Sequence, residues 1–310
     1  MKKGLFVLIP IIVFAVYMSR PVDLLTYQDN QNPVVEIEDD KEEAREIEFL
    51  MNPTAPIQGE PVLIKILNLP STTTVQMLKF SNQALQMFTE DRVSQALIGL
   101  DLRLPAKTYL LSATLSDGRV IEQSMVVRER KITTLPLGIP EKLGGNTTES
   151  ERELVNSLVQ EGKLINSIPS ATTKLWQGDF RYPVDSPIVV TDTYGYSRKT
   201  VGSNISHKGT DFRAKVGTPV YAMNSGIVVY TGYLRNYGHV IVLDHGLGLQ
   251  TIYMHLSEIL AENGEMVERG DRIALSGDTG YVLGPHLHLS VKIDHVSIDP
   301  EQFMNILGER

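Results

Sequence analysis

From about residue 60 onwards the apolar residues come in short runs that alternate with polar ones and stop at Gly, Pro, Asn or Asp. A period of two places successive side chains on opposite faces of a pleated strand. A chain written this way therefore folds into sheets rather than a helical bundle. Val62-Leu63-Ile64-Lys65-Ile66-Leu67, after Gly59-Glu60-Pro61, is the first such run. Residues 109–115 and 120–127 flank Ser116-Asp117-Gly118-Arg119, where Asp-Gly predicts a tight hairpin turn with positive φ angles. At 310 residues, 42% apolar and 21% charged, the chain is globular and long enough for two domains; collagen, coiled coil and wholesale disorder are excluded.

Five segments follow from the composition along the chain. In residues 1–22, Lys2 and Lys3 precede an uncharged stretch from Gly4 to Ser19, which reads as an export signal or as an N-in membrane anchor ended by Arg20 and Pro21. Residues 23–46 are an acidic spacer: from Glu36 to Glu48 eight acidic residues meet only Lys41 and Arg45. Residues 47–130 carry several strand patterns and no histidine, and resemble an immunoglobulin-like β-sandwich, a spacer, lid or protein-binding module. Residues 131–182 hold a linker with Pro136, Gly138, Pro140, Gly144 and Gly145. An amphipathic helix follows, started by Thr148 and Glu151 as a capping box, with Leu154, Val155, Leu158 and Val159 on one face. Residues 183–305 form the second domain, predominantly antiparallel β.

The net charge of −8 argues against capture of nucleic acid, which needs clustered Lys and Arg. The absence of cysteine excludes disulfides, thiolate zinc sites and cysteine nucleophiles together. Any metal must be held by His, Asp or Glu.

All seven histidines fall between His207 and His295. His207-Lys208-Gly209-Thr210-Asp211 pairs an imidazole with a carboxylate, the neutral and anionic ligands zinc accepts, with Gly209 letting the backbone bend between them. His286-Leu287-His288 precedes a strand-like Leu289-Ser290-Val291-Lys292-Ile293. Residues two apart share a face there, so both imidazoles point one way. Thr251, Tyr253 and His255 fall on one face of a further strand, which brings one more imidazole.

The ordered set H-x-x-x-D, Y-x-H-L and G-P-H-L-H resembles the M23 family of zinc metallopeptidases, the LytM and lysostaphin type. Gly217-Thr218-Pro219-Val220-Tyr221-Ala222, the stretch from Gly238 to Gly246, and Ile298-Asp299-Pro300 look like further family landmarks, so that residues 183–303 are covered. The resemblance implies a mainly β fold, the immunoglobulin-like sandwich being followed by an antiparallel β-sheet peptidase domain with a zinc-containing groove. It implies one zinc per chain held by His207, Asp211 and His288, with a fourth position open. His255 and His286 match the family's two non-ligand histidines, which take the proton of the attacking water and steady the tetrahedral intermediate. His239 and His245 are expected to be structural or groove-lining, and His295 a surface residue.

Tyr194 stands where family members commonly carry Phe, and an insertion-like segment over 199–205 follows, which leaves the groove shape there open. The resemblance further implies an exported, cell-envelope endopeptidase acting on peptide cross-links of bacterial peptidoglycan, either a D-Ala to diamino acid link or a glycine bridge. The alternative is a non-catalytic relative that binds and activates another wall hydrolase. The intact ligand set argues for catalysis. A linker or first-domain residue at zinc's fourth position, holding the enzyme off, is compatible with the main reading.

Overall fold

The computed structural model describes residues 46–141, 144–200 and 204–309. The signal or anchor stretch and most of the acidic spacer lie outside the described residues. Among the described residues no helix is long and apolar enough to cross a membrane.

The first half builds eight strands: β1 (Glu48–Asn52), β2 (Pro61–Leu67), β3 (Val75–Phe80), β4 (Gln83–Ala84), β5 (Met87–Glu90), β6 (Val93–Gly99), β7 (Thr108–Leu115) and β8 (Val120–Val126). They form two four-stranded antiparallel sheets, ordered β1-β2-β6-β5 and β4-β3-β7-β8. Val62, Ile64, Ile66, Ala96 and Ile98 of the first sheet meet Leu78, Leu111, Ala113 and Met125 of the second in one buried core, which makes the unit a sandwich. The β7–β8 turn differs from the expectation in detail. Only Gly118 has positive φ (86°), and Gly118 N–H donates to Leu115 C=O at 3.0 Å while Leu115 N–H donates to Arg119 C=O at 2.9 Å. Glycine alone takes the left-handed position of a bulged turn, and Asp117 accepts from Arg119 N–H at 3.0 Å instead.

A short strand β9 (Thr134–Pro136) leads to helix α1 (Thr148–Asn166). The cap is Thr147 rather than Thr148: its hydroxyl accepts from Ser150 N–H at 3.1 Å. The buried face runs through Leu154, Glu161 and Ile165, whereas Val159 is 49% exposed. Glu161 displaces the expected apolar face because its carboxylate accepts from Asn236 N–H at 3.0 Å, in the turn that joins Leu234 to Gly238.

The second half contains β10 (Val190–Asp192), β11 (Ser197–Lys199), β12 (Asn204–Ser206), β13 (Thr210–Phe212), β14 (Pro219–Tyr221), β15 (Gly226–Leu234), β16 (Gly238–Gly246), β17 (Leu249–Ile259), β18 (Met266–Val267), β19 (Arg272–Ser276), β20 (Leu287–Ile293), β21 (Val296–Ile298) and helix α2 (Pro300–Leu307). The main path of the ten-stranded sheet runs β10-β13-β20-β17-β16-β15-β18. One face packs Leu287, Leu289, Val291, Tyr253 and Ile241 into a large core with Phe180, Phe212 and Phe303. On the opposite face Val240, Val242, Ile252 and Met254 receive Ile165 and Ile168, so α1 and the turn after it cover one end of that face and leave the rest to the site.

The two halves are not hinged apart, as a plain spacer would be. Leu63 and Leu97 of the sandwich belong to the same core as Ile293 and Ile298, and Phe88 meets Trp176 edge-on at 5.2 Å. A buried Arg130–Asp299 ion pair at 2.9 Å crosses the same boundary, and Asp299 also caps α2. Tyr194 serves this contact too. Its ring lies under Arg130 at 5.2 Å and its hydroxyl donates to Ser297 C=O at 2.8 Å, which gives a polar use to the position where the family pattern has Phe.

Candidate active site

Register brings the site together. In the β13–β20 ladder Asp211 stands directly opposite His288, and in the β17–β20 ladder His288 stands opposite Met254. His207, just past β12, reaches the same point: its Nε2 is 3.1 Å from Asp211 Oδ1 and 3.1 Å from His288 Nδ1, while His288 Nδ1 lies 2.7 Å from the same oxygen. Ligand atoms of these three residues all lie within 4.8 Å of one another.

Each imidazole is fixed from behind. His207 Nδ1–H donates to Thr193 C=O at 2.8 Å and its ring stacks on Tyr196 at 4.7 Å. His288 Nε2–H donates to Ser290 Oγ at 3.1 Å, and Ser290 in turn donates to Lys208 C=O at 2.8 Å. With one nitrogen of each ring spent as a donor, the remaining two are bare and face each other across one carboxylate oxygen. Three lone-pair donors this close repel unless a cation lies among them, and two imidazole nitrogens with a carboxylate oxygen are a set zinc takes, oriented by an outer shell of hydrogen bonds. The residues present therefore fit the metal.

The electrostatics keep Asp211 anionic. Burial works against its ionisation, yet the His207 and His288 imidazoles in contact with it hold its carboxyl well below the usual carboxylate range. Burial pushes His288 down. At His207 burial also disfavours the charge, but the Asp211 carboxylate outweighs it and the net shift is upward.

Gly209 is needed for a different reason than a bend. Its φ is not positive, but a Cβ there would sit 2.4 Å from His288 Nε2 and 2.3 Å from Leu289 C=O, so the strand approach that seats His288 requires a bare backbone.

His255 and His286 complete the cluster. Their rings lie 4.9 Å apart, the His255 ring is 5.9 Å from His288, and His286 Nε2 is 3.6 Å from Asp211 Oδ2. His255 Nδ1–H donates to Thr279 C=O and His286 Nδ1–H to Gly284 C=O, both at 2.9 Å, so each keeps a bare Nε2. Burial, then the nearby His288 and His286, push His255 well below its ordinary pKa, which keeps it a neutral base. The expected shared face of Thr251, Tyr253 and His255 does not hold. Tyr253 lies in the large core, whereas His255 has φ of 61° and swings to the groove face beside Met254. Register shifts in the neighbouring pairings show strand β17 bulged at this place.

The other histidines lie outside the cluster: His245 is fully buried in the sheet, His239 sits edge-on to Tyr233 at 5.0 Å, and His295 is exposed in the β20–β21 turn. Sequence reasoning missed Arg198 and Tyr281. Arg198 donates to Tyr196 Oη from Nη2 at 2.7 Å and Nε at 3.2 Å, and lies beside Tyr281. No local motif joins these residues.

Residues 205–300 match peptidase family M23. The chain is 38% identical over 159 residues to the peptidoglycan DD-endopeptidase ShyA of Vibrio cholerae, covering 48% of this chain and 36% of that protein. It is 38% identical over 122 residues to ShyB, also a peptidoglycan DD-endopeptidase of Vibrio cholerae, covering 38% and 29%. The chain thus spans about a third of the length of these relatives. A crystal structure from Pseudomonas aeruginosa described as a peptidase M23 superposes with a TM-score of 0.57 at 21% identity, covering 82% of this chain and 96% of that one, a likeness of fold.

Proposed function

The chain carries a peptidase family M23 domain, and from that premise we propose that it is a zinc-dependent endopeptidase hydrolysing peptide cross-links of bacterial peptidoglycan in the cell envelope. The observation that carries the reading is the convergence of His207, Asp211 and His288, with His255 and His286 beside them. Zinc on these three donors would polarise the scissile carbonyl and bring the pKa of a bound water towards about 7. The chain's own residues do the rest. Thr193 and Ser290 fix the tautomers of His207 and His288, so both present a lone pair without rearrangement. His255 and His286 present bare Nε2 atoms: one accepts the proton of the attacking water and passes it to the leaving amine, and in its protonated form can steady the negative oxygen of the tetrahedral species. The names of ShyA and ShyB support a D,D-bond as the target.

The test is digestion of purified peptidoglycan by the zinc-loaded chain beside its His288→Ala variant, with released peptides identified by mass. New amino and carboxyl termini made only by the unsubstituted protein support the reading. Stoichiometric zinc without any product would turn it towards the activator role.

A further inference from the structure

Arg198 lies next to Tyr196, the residue that stacks on His207, and its side chain is only 22% exposed. A cation taken this far from water is normally matched by a carboxylate at hydrogen-bond distance. Here its hydrogen-bond partner is a neutral phenol, Tyr196, whose hydroxyl burial pushes up to about 12, with Tyr281, also raised by burial, beside it. The carboxylate that faces it, Asp192, stands off at 3.7 Å and is itself 39% exposed.

The phenols cannot serve a ligand as donors, because both hydroxyl protons are committed. Tyr196 donates to Asp192 Oδ2 at 3.3 Å and Tyr281 to Gly138 C=O at 2.5 Å. The Tyr196 oxygen accepts from Arg198 Nη2 and Nε and so aims it. Among the described residues that oxygen and Asp192 at 3.7 Å do not exhaust the five N–H donors of a guanidinium. The result is an oriented, incompletely neutralised fork, the arrangement that recognises a carboxylate in two-pronged fashion.

Its position relative to the chemistry is set by the same rings. The Tyr196 ring centre is 4.7 Å from that of His207 and 5.3 Å from the Arg198 guanidinium carbon, so the charge stands no more than about 10 Å from a proposed metal ligand. A charge within that limit is in reach of a residue flanking the bond to be cut, since consecutive Cα atoms are only about 3.8 Å apart. Tyr281, beside Arg198, lies on the loop that leads through Gly284 to His286, so the cation stands near the segments that carry both His207 and His286.

We propose that Arg198, aimed by Tyr196, is a specificity-determining residue that takes the free carboxylate of the diamino acid next to the scissile bond. This inference rests on the reading of the site as a peptidoglycan endopeptidase. It names the substrate class within that reading: a cross-link whose diamino acid keeps an ionised carboxylate. A glycine bridge carries none, and an amidated diamino acid has lost the charge.

The experiment uses the full zinc-loaded chain and two cross-linked peptide dimers that differ only in whether that carboxylate is free or amidated. The unsubstituted protein is expected to favour the free acid by tenfold or more in kcat/KM, chiefly through KM. Arg198→Gln should lose about 10- to 100-fold on the acid and little on the amide, erasing the preference, and Arg198→Lys should restore part of it. Equal losses of Arg198→Gln on both dimers, or no preference in the unsubstituted protein, would overturn the assignment. If neither dimer is cleaved, the endopeptidase reading fails by itself. Calorimetric binding of the two intact dimers to the unsubstituted protein and to folded Arg198→Gln then decides the subsite. Tighter binding of the acid that vanishes with Arg198 supports it, and indifference to the charge sinks it.

Discussion

Two aspartate–histidine groups lie in the ten-stranded sheet, and they have opposite characters. At the end of β16, Asp244 accepts from Ser170 Oγ at 2.5 Å, Ala171 N–H at 2.7 Å and Gly246 N–H at 3.1 Å. Next to it His245 donates from Nδ1 to Ser225 C=O at 2.8 Å, pairs through Nε2 with the Thr251 hydroxyl at 2.9 Å, and meets Phe180 edge-on at 5.1 Å. Every polar atom of that group has a neighbour of the complementary kind, so it stabilises the sheet and offers nothing to a ligand. Around Asp211 the opposite holds: two bare imidazole nitrogens face one carboxylate oxygen. Residue type does not separate a structural histidine from a site histidine. The direction of its hydrogen bonds does.

The largest expected effect breaks or upholds that contrast directly. His288→Ala or Asp211→Asn should release zinc and lower hydrolysis by about 10³-fold or more, because several kcal/mol of transition-state stabilisation leave with the metal. His245→Ala should keep one zinc per chain while costing about 2–4 kcal/mol of stability, through a cavity and an unpaired buried Ser225 carbonyl. Metal analysis after dialysis and chemical denaturation of both variants settle it. Zinc lost from His245→Ala without loss of stability would erase the distinction.

Next in size are His255 and His286, which belong to the open group without being proposed ligands. Alanine at either should leave zinc in place and lower kcat by about 10²- to 10⁴-fold, the range for a lost general acid or base. A variant that loses metal and activity together would move that residue into the ligand set.

The candidate site residues were legible because they fall in short motifs: H-x-x-x-D pairs His207 with Asp211, and strand periodicity puts His286 and His288 on one face. Which of them would hold the metal came from the resemblance of the ordered motifs to the M23 family, not from periodicity. Periodicity failed at His255, where a positive φ breaks the alternation. It could not reach contacts that only the tertiary fold creates, such as Arg130 with Asp299, Glu161 with the Asn236 backbone, or Arg198 with Tyr281. The sandwich strands were readable from their alternation. The apolar contact of Leu63 and Leu97 with the second half was not, since each reads as an ordinary strand residue.

The closed group should also declare itself through pH. Burial drives His245 down to about 4, so it is neutral in the folded chain, whereas in the unfolded chain it protonates near the usual value of about 6.5. Its contribution is then complete above pH 6.5 and is lost as pH falls through about 4, worth about 3 kcal/mol over that window. His245→Gln should flatten the stability profile between pH 7 and 4 by up to this amount. An unchanged slope would mean that the buried imidazole is already charged at neutral pH.

The smallest expected effect concerns a histidine in neither group. His295 and Asp294 form the two-residue turn between β20 and β21, with φ of 67° and 47°, and Ile293 pairs with Val296 across it. Both central residues are left-handed, the conformation of a type I′ turn in which glycine suits the second position. An exposed histidine bears that backbone strain with no buried polar pairing such as His245 has. His295→Gly should relieve it, and the greater freedom of glycine in the unfolded chain should offset part of the gain, leaving about 0.5–1 kcal/mol. Zinc content and hydrolysis should not change. Denaturant titration decides: a stabilised variant with full activity shows that a histidine on this sheet can be neither closed into the fold nor open to a ligand. A destabilised variant would mean that the imidazole holds the turn by a contact stronger than the strain it carries.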